Sequence, residues 1–500
     1  MSRNFNKFVD EYQNLHIHGE VLGKGGQGIV FRTKDPDVAI KLVLDEKGNR
    51  LSDKGSIETY SRRFKRIRLL PLPDGLNISV PVALLQDDAG YVMRLLSEMV
   101  PISHLWAEGK ALNAISPDDI PSWLSAIPET EAKKIVHYYR TGGLRRRLIV
   151  LFKCASLLAR LHGHGLVYGD ISHNNIFISE GTEEALVWLI DADNLRFEVE
   201  VEAGGRAFYT PKYGAPEILQ RKDGGRPASD CHAFAVVAFW LLSMIHPFIG
   251  RKVDGTDDCD WAESDGDGED IEDKAYAGFL PWVDDQNDDA NSSDGGLPRS
   301  LLLTEKLRAL FEATFGPGRT SPWMRPAIFH WPEAFAQAAD TVLTCPGCGM
   351  GYYGDYADPE TGGHHCPYCS ARRPEMLTLE SYRWNGPGIP LGALAWRYTR
   401  EITGECELTI PRRVLDDFTM VDADTAEITI APAAGSVRIR KLDHSACEVM
   451  VAVESAGREG FQKLFSQLEI ARSAPETRFW LFIQLNSPRL VLCSISGGGK

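Results

Sequence analysis

Tyr168-Gly169-Asp170-Ile171-Ser172-His173-Asn174-Asn175 places a carboxylate and, five residues on, a carboxamide just beyond a helix-like segment ending LARLHGHGL. At that spacing the Asp170 carboxylate can face an incoming hydroxyl while the Asn175 amide oxygen reaches a metal ion. Sixteen residues past Asn175 the strand-like run VWLI ends at Asp191, a second carboxylate placed to bind Mg²⁺ between phosphates. Far upstream, Val38-Ala39-Ile40-Lys41 reads as a strand whose lysine can pair with phosphate oxygens. Before it stands GKGGQG (Gly23, Gly25, Gly28), with Val30 following. Glycines let a backbone approach phosphates with no Cβ in the way. Such a turn alone is equally a plain hairpin. Its weight comes from the order of the pieces, which Thr210-Pro211-Lys212-Tyr213-Gly214-Ala215-Pro216-Glu217 completes.

A second constellation is CPGCGMGYYGDYADPETGGHHCPYCS, in which Cys345 and Cys348 are followed after 17 residues by Cys366 and Cys369. Two such knuckles bring four thiolates to one tetrahedral centre, about 2.3 Å from Zn²⁺. Pro and Gly inside the knuckles suit tight turns. Four ligands fill the coordination sphere, so the zinc is expected to be structural, with metal binding supplying much of this short segment's stability. A ligand role for His364 or His365 in place of Cys366, and a redox CxxC pair, are the competing readings.

The elements that must position these groups can be traced along the chain. Strand-like runs flank the glycine-rich turn, and Lys54–Leu70 reads as a basic helix. Strands are expected at 78–85 and 91–96, a helix over 144–162 on apolar spacing (Leu148, Leu151, Phe152, Ala155, Leu158, Ala159), and short strands at 176–179 and 185–190. Beyond Ala215 the chain looks helical to about Ala339. From Met376 strands dominate (406–410, 426–430, 437–441, 448–453, 479–484, 490–495), with one amphipathic helix expected near Gly460–Arg472. Between Asp254 and Asp294 stand 16 Asp or Glu against one Lys, which reads as a solvated insertion or a docking or cation-binding loop, with Trp282 suggesting that part of it packs down. Arg62-Arg63-Phe64-Lys65-Arg66-Ile67-Arg68 and Arg145-Arg146-Arg147 read as solvated helix faces.

Five hundred residues are too many for one core, so two or three domains are expected. The net charge of −15 argues against nucleic acid or an anionic membrane as partner. The most apolar run, Phe234 to Ile245, is 12 residues long, whereas a membrane span needs roughly 20. The start lacks the apolar core of a signal peptide, and the cysteines outside the two pairs are scattered singly. A cytoplasmic location follows as the expectation.

Taken together, the glycine-rich turn, VAIK, YGDISHNN, the Asp191 strand end and TPKYGAPE resemble the eukaryotic-type protein-kinase family in a divergent, bacterial-style branch. The resemblance covers roughly residues 15–335 and implies an α+β, two-lobed kinase fold with an acidic insertion at about 251–298. A zinc ribbon (343–373) and a β-rich domain (376–500) of recognition or regulatory type would follow. It implies ATP and Mg²⁺ as cofactors. Gly23, Gly25, Gly28, Val30 and Ala39 would surround the nucleotide, Lys41 would hold its phosphates, and Glu58 on the basic helix would be the partner of Lys41. Asp170 would be the catalytic-loop aspartate, with Asn175 and Asp191 holding magnesium. Glu217 with Arg325, and Asp230, would carry structural roles. TPKYGAPE resembles serine/threonine kinases, with Thr210 facing the substrate, and implies a protein substrate and a part in bacterial signalling or stress response. Three positions depart from the pattern. Gly169 stands where the family has Arg, which implies activity without activation-loop phosphorylation. Ser172 stands for Lys, as in kinases resembling the RIO group. Asp191-Ala192-Asp193 stands for Asp-Phe-Gly, with Asp193 read as a turn residue or a group behind the metal. The competing functions are an ATP-binding pseudokinase scaffold that presents the C-terminal modules to a partner, and a small-molecule kinase.

Overall fold

The computed structural model describes residues 7–25, 28–45, 47–181, 185–200, 209–255, 270–359, 361–404, 406–433, 435–453, 460–473 and 476–497. It is a mixed α+β chain: an N-terminal sheet, a helical region, the four cysteines, then a β-rich C-terminal part. Two compact units divide it, one made of residues 1–104, 153–296 and 309–329, the other of 105–152, 297–308 and 330–500.

The first unit begins with an antiparallel sheet of β1 (Lys7–Val9), β2 (Leu15–Gly25), β3 (Gly28–Thr33), β4 (Val38–Val43), β5 (Ala83–Leu84) and β6 (Gly90–Arg94), in the order β1-β2-β3-β4-β6-β5. Side chains alternate across β4, so its two faces meet different cores. Ile40 and Leu42 pack with Phe8, Ala83, Leu85 and Val92, while Val43 packs with Phe64, Ile67, Leu84, Ala89 and Tyr91. Phe64 and Ile67 come from α1 (Lys54–Arg68), the expected basic helix. Asp53 caps it by accepting from Ser56 N at 2.9 Å, and Lys65, Arg66 and Arg68 sit in the last turn, where the helix dipole favours cations.

Five short strands follow: β7 (Met99–Pro101), β8 (Leu166–Val167), β9 (Ile176–Ser179), β10 (Val187–Leu189) and β11 (Arg196–Phe197). β9 pairs with β7 and β10, and β8 pairs with β11. These two ladders bracket the residues of interest, since 168–175 joins β8 to β9 and 190–195 joins β10 to β11. Helix Pro227–Ser243, the expected apolar core helix, is buried on nearly every side. Trp282 is buried and meets Phe239 edge-on at 5.5 Å, so the part of the acidic region near it does pack down. The most acidic stretch, residues 256–269, lies outside the described residues.

The second unit holds helices Glu129–Arg140 and Trp331–Thr341 and the first part of helix Gly143–Gly163. β12 (Val342–Thr344) and β13 (Gly351–Tyr353) form a hairpin. β14 (Met376–Arg383), β15 (Leu394–Glu401), β16 (Leu408–Pro411), β17 (Ala426–Pro432), β18 (Ser436–Lys441), β19 (Glu448–Val453), β20 (Gln462–Lys463), β21 (Gln467–Ala471), β22 (Glu476–Gln484) and β23 (Arg489–Ser496) build the rest. They form two sheets, β15-β14-β23-β22-β19-β20 and β16-β17-β18-β21. Burial alternates with period two along β22 (Thr477, Phe479, Leu481, Ile483) and β23 (Val491, Cys493, Ile495).

Two expectations are corrected here. No helix forms over 460–472. Instead Leu468 and Ile470 of β21 stand opposite Ile439 and Val437 of β18, and completing that sheet edge outweighs the local helical spacing. Nor is Arg145-Arg146-Arg147 a solvated face. Arg147 is fully buried, lies 3.8 Å over the Tyr138 ring and donates to Leu105 O at 2.6 Å and Thr141 Oγ1 at 3.0 Å. Burial pulls its pKa down to about 10, and the ring of acceptors is what lets a guanidinium sit there.

Candidate active site and four-cysteine centre

Register across the N-terminal sheet sets the first half of the site. Gly23 of β2 stands opposite Val30, Val30 opposite Lys41, and Lys41 opposite Tyr91. Directly opposed residues share a face, so these four form one row. Ala39 lies on the same face of β4 two residues along and is fully buried. A Cβ at Gly28 would run into the Leu42 carbonyl, so the hairpin itself demands that glycine. A Cβ at Gly23 would meet nothing within 4 Å, so packing gives no reason for glycine there, whereas a closely approaching ligand would. Gly25 pairs with Gly28 beside the turn, and Gly26 and Gln27 lie outside the described residues.

The second half is folded by the short ladders. Leu189 of β10 opposes Ile176 of β9, and Ile190 N donates to Asn175 O at 2.9 Å, which sets Asp191 beside the 170–175 loop. Asn175 Nδ2 donates to Asp170 O at 2.8 Å, leaving its Oδ1 as the acceptor end of the amide. Thr210 Oγ1 donates to Asp170 Oδ1 at 2.8 Å. Asp230, at the start of the buried helix, accepts from Tyr168 N (2.8 Å) and Gly169 N (2.9 Å) and lies 3.1 Å from His162 Nε2. That is the tie expected of it. Gly169 has φ +82°, a conformation a side chain would strain, so the backbone accounts for glycine at this position. Glu217 and Arg325 form the expected buried bidentate pair, both bonds 2.8 Å.

Lys41 is where the halves meet. Its ammonium, 5% exposed, donates to Asp191 and, at 2.8 Å, to Asp193 Oδ2. Burial works against the charge, but the carboxylates of Asp193 and Asp191 outweigh it and hold the lysine pKa above its ordinary value. Glu58, expected as the partner of Lys41, is exposed on α1. The helix turns on Phe64 and Ile67, and Glu58 falls nine residues, half a turn out of phase, from Ile67. Asp193 sits instead in a 3₁₀ turn over 192–194 with its side chain buried, and Tyr91 Oη donates to its Oδ1 at 2.9 Å. Arg63 of α1 donates to Asp193 O at 3.0 and 2.8 Å and to Asn194 Oδ1 at 2.9 Å. Sequence reasoning missed Tyr91 and Arg63. Only the register opposite Lys41 points to the first, and nothing local points to the second.

Burial is the main cause that pushes the Asp170 carboxyl above the usual carboxylate range; the Thr210 hydrogen bond opposes it and the Asp191 charge adds to it. A buried carboxyl so tuned, beside a carboxamide oxygen, a second carboxylate and a held lysine, can accept a proton from a hydroxyl while its neighbours hold a metal ion and phosphates. Residues 201–208, just before Tyr209 and Thr210, lie outside the described residues.

The cysteine segment repeats one turn twice. Cys345 N donates to Met350 O and Gly349 N to Cys345 O, both at 2.9 Å; Cys366 N donates to Ala371 O at 2.8 Å and Ser370 N to Cys366 O at 2.9 Å. Each knuckle is followed by a left-handed residue, Gly349 (φ +76°) or Ser370 (φ +58°). The sulfurs of Cys345, Cys348, Cys366 and Cys369 all lie within 4.8 Å of one another, and two pairs lie at 3.6 and 3.7 Å. Tetrahedral zinc at about 2.3 Å spaces its sulfurs by about 3.8 Å, so the four thiols fit and could bind zinc. His364 and His365 are exposed and outside this cluster, and His364 Nδ1 lies 3.1 Å from Tyr356 O.

No family profile matches the sequence. Over about half its length the chain is distantly similar to serine/threonine protein kinases. It is 24% identical over 252 residues to the serine/threonine-protein kinase PknD of Chlamydia pneumoniae, covering 46% of this chain and 24% of that protein. It is 26% identical over 264 residues to the serine/threonine-protein kinase PLK4 of Drosophila yakuba, covering 51% and 28%. To the CDPK-related kinase 4 of Arabidopsis thaliana it is 24% identical over 262 residues, covering 50% and 37%. The chain thus spans between about a quarter and just over a third of the length of these relatives. Among the described residues no helix is long and apolar enough to cross a membrane.

Proposed function

We propose that this chain is an ATP- and Mg²⁺-dependent protein kinase that transfers the γ-phosphate to serine or threonine hydroxyls of a protein substrate. In this reading residues 15–335 form the kinase domain, Asp170 takes the proton of the hydroxyl, Lys41 holds the phosphates, and Asn175 and Asp191 hold magnesium. Gly23, Gly25, Gly28, Val30 and Ala39 line the nucleotide. Bound Mg²⁺ and ATP would supply the transferable phosphoryl group and the charge that offsets its oxygens. The observation that carries the reading is the gathering of Lys41, Asp170, Asn175 and Asp191, far apart in sequence, through two short ladders and one strand register. Hydroxyl acceptors are favoured because Thr210, the residue bonded to Asp170, belongs to the TPKYGAPE segment. Gly169, with no guanidinium to receive a phosphate, supports activity without activation-loop phosphorylation. Residues 343–373 would be a structural zinc ribbon, and 376–500 a recognition module for a protein partner.

The test is transfer from γ-labelled ATP with Mg²⁺ to protein, wild type beside Asp170→Asn. Label on protein in the wild type and its loss in the variant are expected. Nucleotide binding with no transfer by the wild type, across several candidate substrates, would favour the scaffold reading.

A further inference from the structure

We infer that Asp193 is the positioning residue for Lys41, filling the place of a glutamate on α1 and so leaving Asp191 to the metal ion. This rests on the phosphoryl-transfer reading and adds to it a residue that the reading does not use.

A buried ammonium needs a carboxylate, since removing the partner of a buried charge leaves an uncompensated ion. Two reach Lys41, and they differ in what else they can do. The Asp191 side chain is 26% exposed; that of Asp193 is 7% exposed. Both Asp193 oxygens are committed, Oδ2 to Lys41 and Oδ1 to the Tyr91 hydroxyl, at 2.8 and 2.9 Å. Its carbonyl is clamped twice by Arg63 from α1. Strand and helix therefore both fix Asp193, whereas Asp191 has the freedom to turn to a metal. When it does, Lys41 keeps one fixed carboxylate, and one charge remains balanced by one charge. The connection between α1 and the lysine is thereby reversed in sense: the helix contributes a cation to the backbone of the 191–194 segment, and that segment contributes the anion. Glycine at 193 could not do this, which gives the departure from Asp-Phe-Gly a physical purpose.

The experiment follows the reactivity of Lys41 in the full chain, by acylation with an amine-reactive ester across pH and peptide mass spectrometry. The charged and titratable groups around it are Asp191, Asp193, Asp170, Tyr91, Tyr168 and Arg63. Asp193→Asn removes one negative charge at nearly constant shape, so the neutral amine forms at lower pH. About tenfold faster acylation at a fixed pH is expected, the change one pKa unit gives. Tyr91→Phe removes only the hydroxyl that donates to Asp193, leaves that carboxylate a stronger acceptor for the ammonium, and is expected to lower the rate by a smaller factor, which keeps the test open should Asp193→Asn fold poorly. Glu58→Gln is expected to leave the Lys41 rate at its wild-type value. The inference is overturned if a folded Asp193→Asn or Tyr91→Phe leaves the profile unmoved, or if Glu58→Gln alone shifts it. Because labelling needs no turnover, a wild type that transfers no phosphate would sink the functional reading while the labelling rates still decide the role of Asp193. Where transfer is seen, Asp193→Asn is expected to lower kcat/KM by about 10- to 100-fold, as loss of a group that orients a functional ligand does.

Discussion

Asp170 is held by its neighbours in a way that makes its proton affinity adjustable. Burial pushes the carboxyl up, and the hydrogen bond from Thr210 is the strongest influence opposing it. Thr210→Val keeps the shape and removes that bond, so the carboxyl becomes harder to ionise. In its proposed role as the base Asp170 works only when ionised, so the acid limb of kcat/KM should move to higher pH. A hydrogen bond to a charged group contributes roughly 1.5 kcal/mol, so the movement should be about one pH unit. A pH–rate profile of the variant checks this, and an unmoved limb would show that Thr210 does not tune the base. At this scale the sequence was informative where chemistry dictates residue type. Phosphate and metal handling would require a lysine, two carboxylates and an amide in a set order, so the sequence proposes Lys41, Asp170, Asn175 and Asp191, and the structure brings Lys41 to Asp191 and Asn175 to Asp170. Asp193 reads in the sequence as a turn residue or a group behind the metal and Glu58 as the partner of Lys41, because which carboxylate reaches Lys41 depends on helix phase and strand register.

Elements here are fixed by what they bury. α1 contributes Phe64 and Ile67 to the core beneath Tyr91, so Phe64→Ala should cost about 3–5 kcal/mol in denaturant unfolding of the first unit. In the second unit, helix Trp331–Thr341 is tied to the sheet by fully buried Asp340, which accepts from Arg413 Nε and Nη2 at 2.8 Å each and from Trp396 Nε1 at 2.9 Å. Burial raises this carboxyl, but Arg413 outweighs it and holds the pKa below the ordinary range. A folded-state pKa below the unfolded one gives stability that is present above the unfolded value and lost as pH falls through the folded one. Asp340→Ala should therefore cost about 3–5 kcal/mol at neutral pH, with a deficit that shrinks on acidification into and below the carboxylate range. An unchanging deficit in pH-dependent unfolding would contradict the pairing. Helix Gly143–Gly163 and most C-terminal strands were readable because long periodic runs declare themselves. Residues 460–472 and Arg147 were not, since their states are set by a partner strand and by a ring of carbonyls distant in sequence.

At the scale of the whole molecule the proposed function joins two chemistries in one chain, phosphoryl transfer and a zinc centre, and each can be tested separately. Stripping metal with a chelator should release one zinc per four-cysteine centre and expose Cys345, Cys348, Cys366 and Cys369 to thiol reagents. Binding of ATP to the 15–335 region should persist at the same chelator concentration once Mg²⁺ is restored. Zinc absent from the purified chain under non-chelating conditions would count against the ribbon. Kinase likeness over half the chain was legible from motif order alone, because each motif does one job in a fixed sequence of elements. The role of the C-terminal sheets was not, since none of their residues has catalytic spacing. The central claim is transfer of phosphate by a site built on Asp170 and not primed by phosphorylation of its own activation segment. Its most direct measurement is the initial rate of transfer from γ-labelled ATP by chain first stripped of phosphate, beside Asp170→Asn, with analysis of the labelled amino acids. Immediate linear labelling on serine or threonine by the wild type alone is the predicted result. A lag that ends only as Tyr209, Thr210 or Tyr213 becomes phosphorylated, or equal labelling by Asp170→Asn, would contradict it.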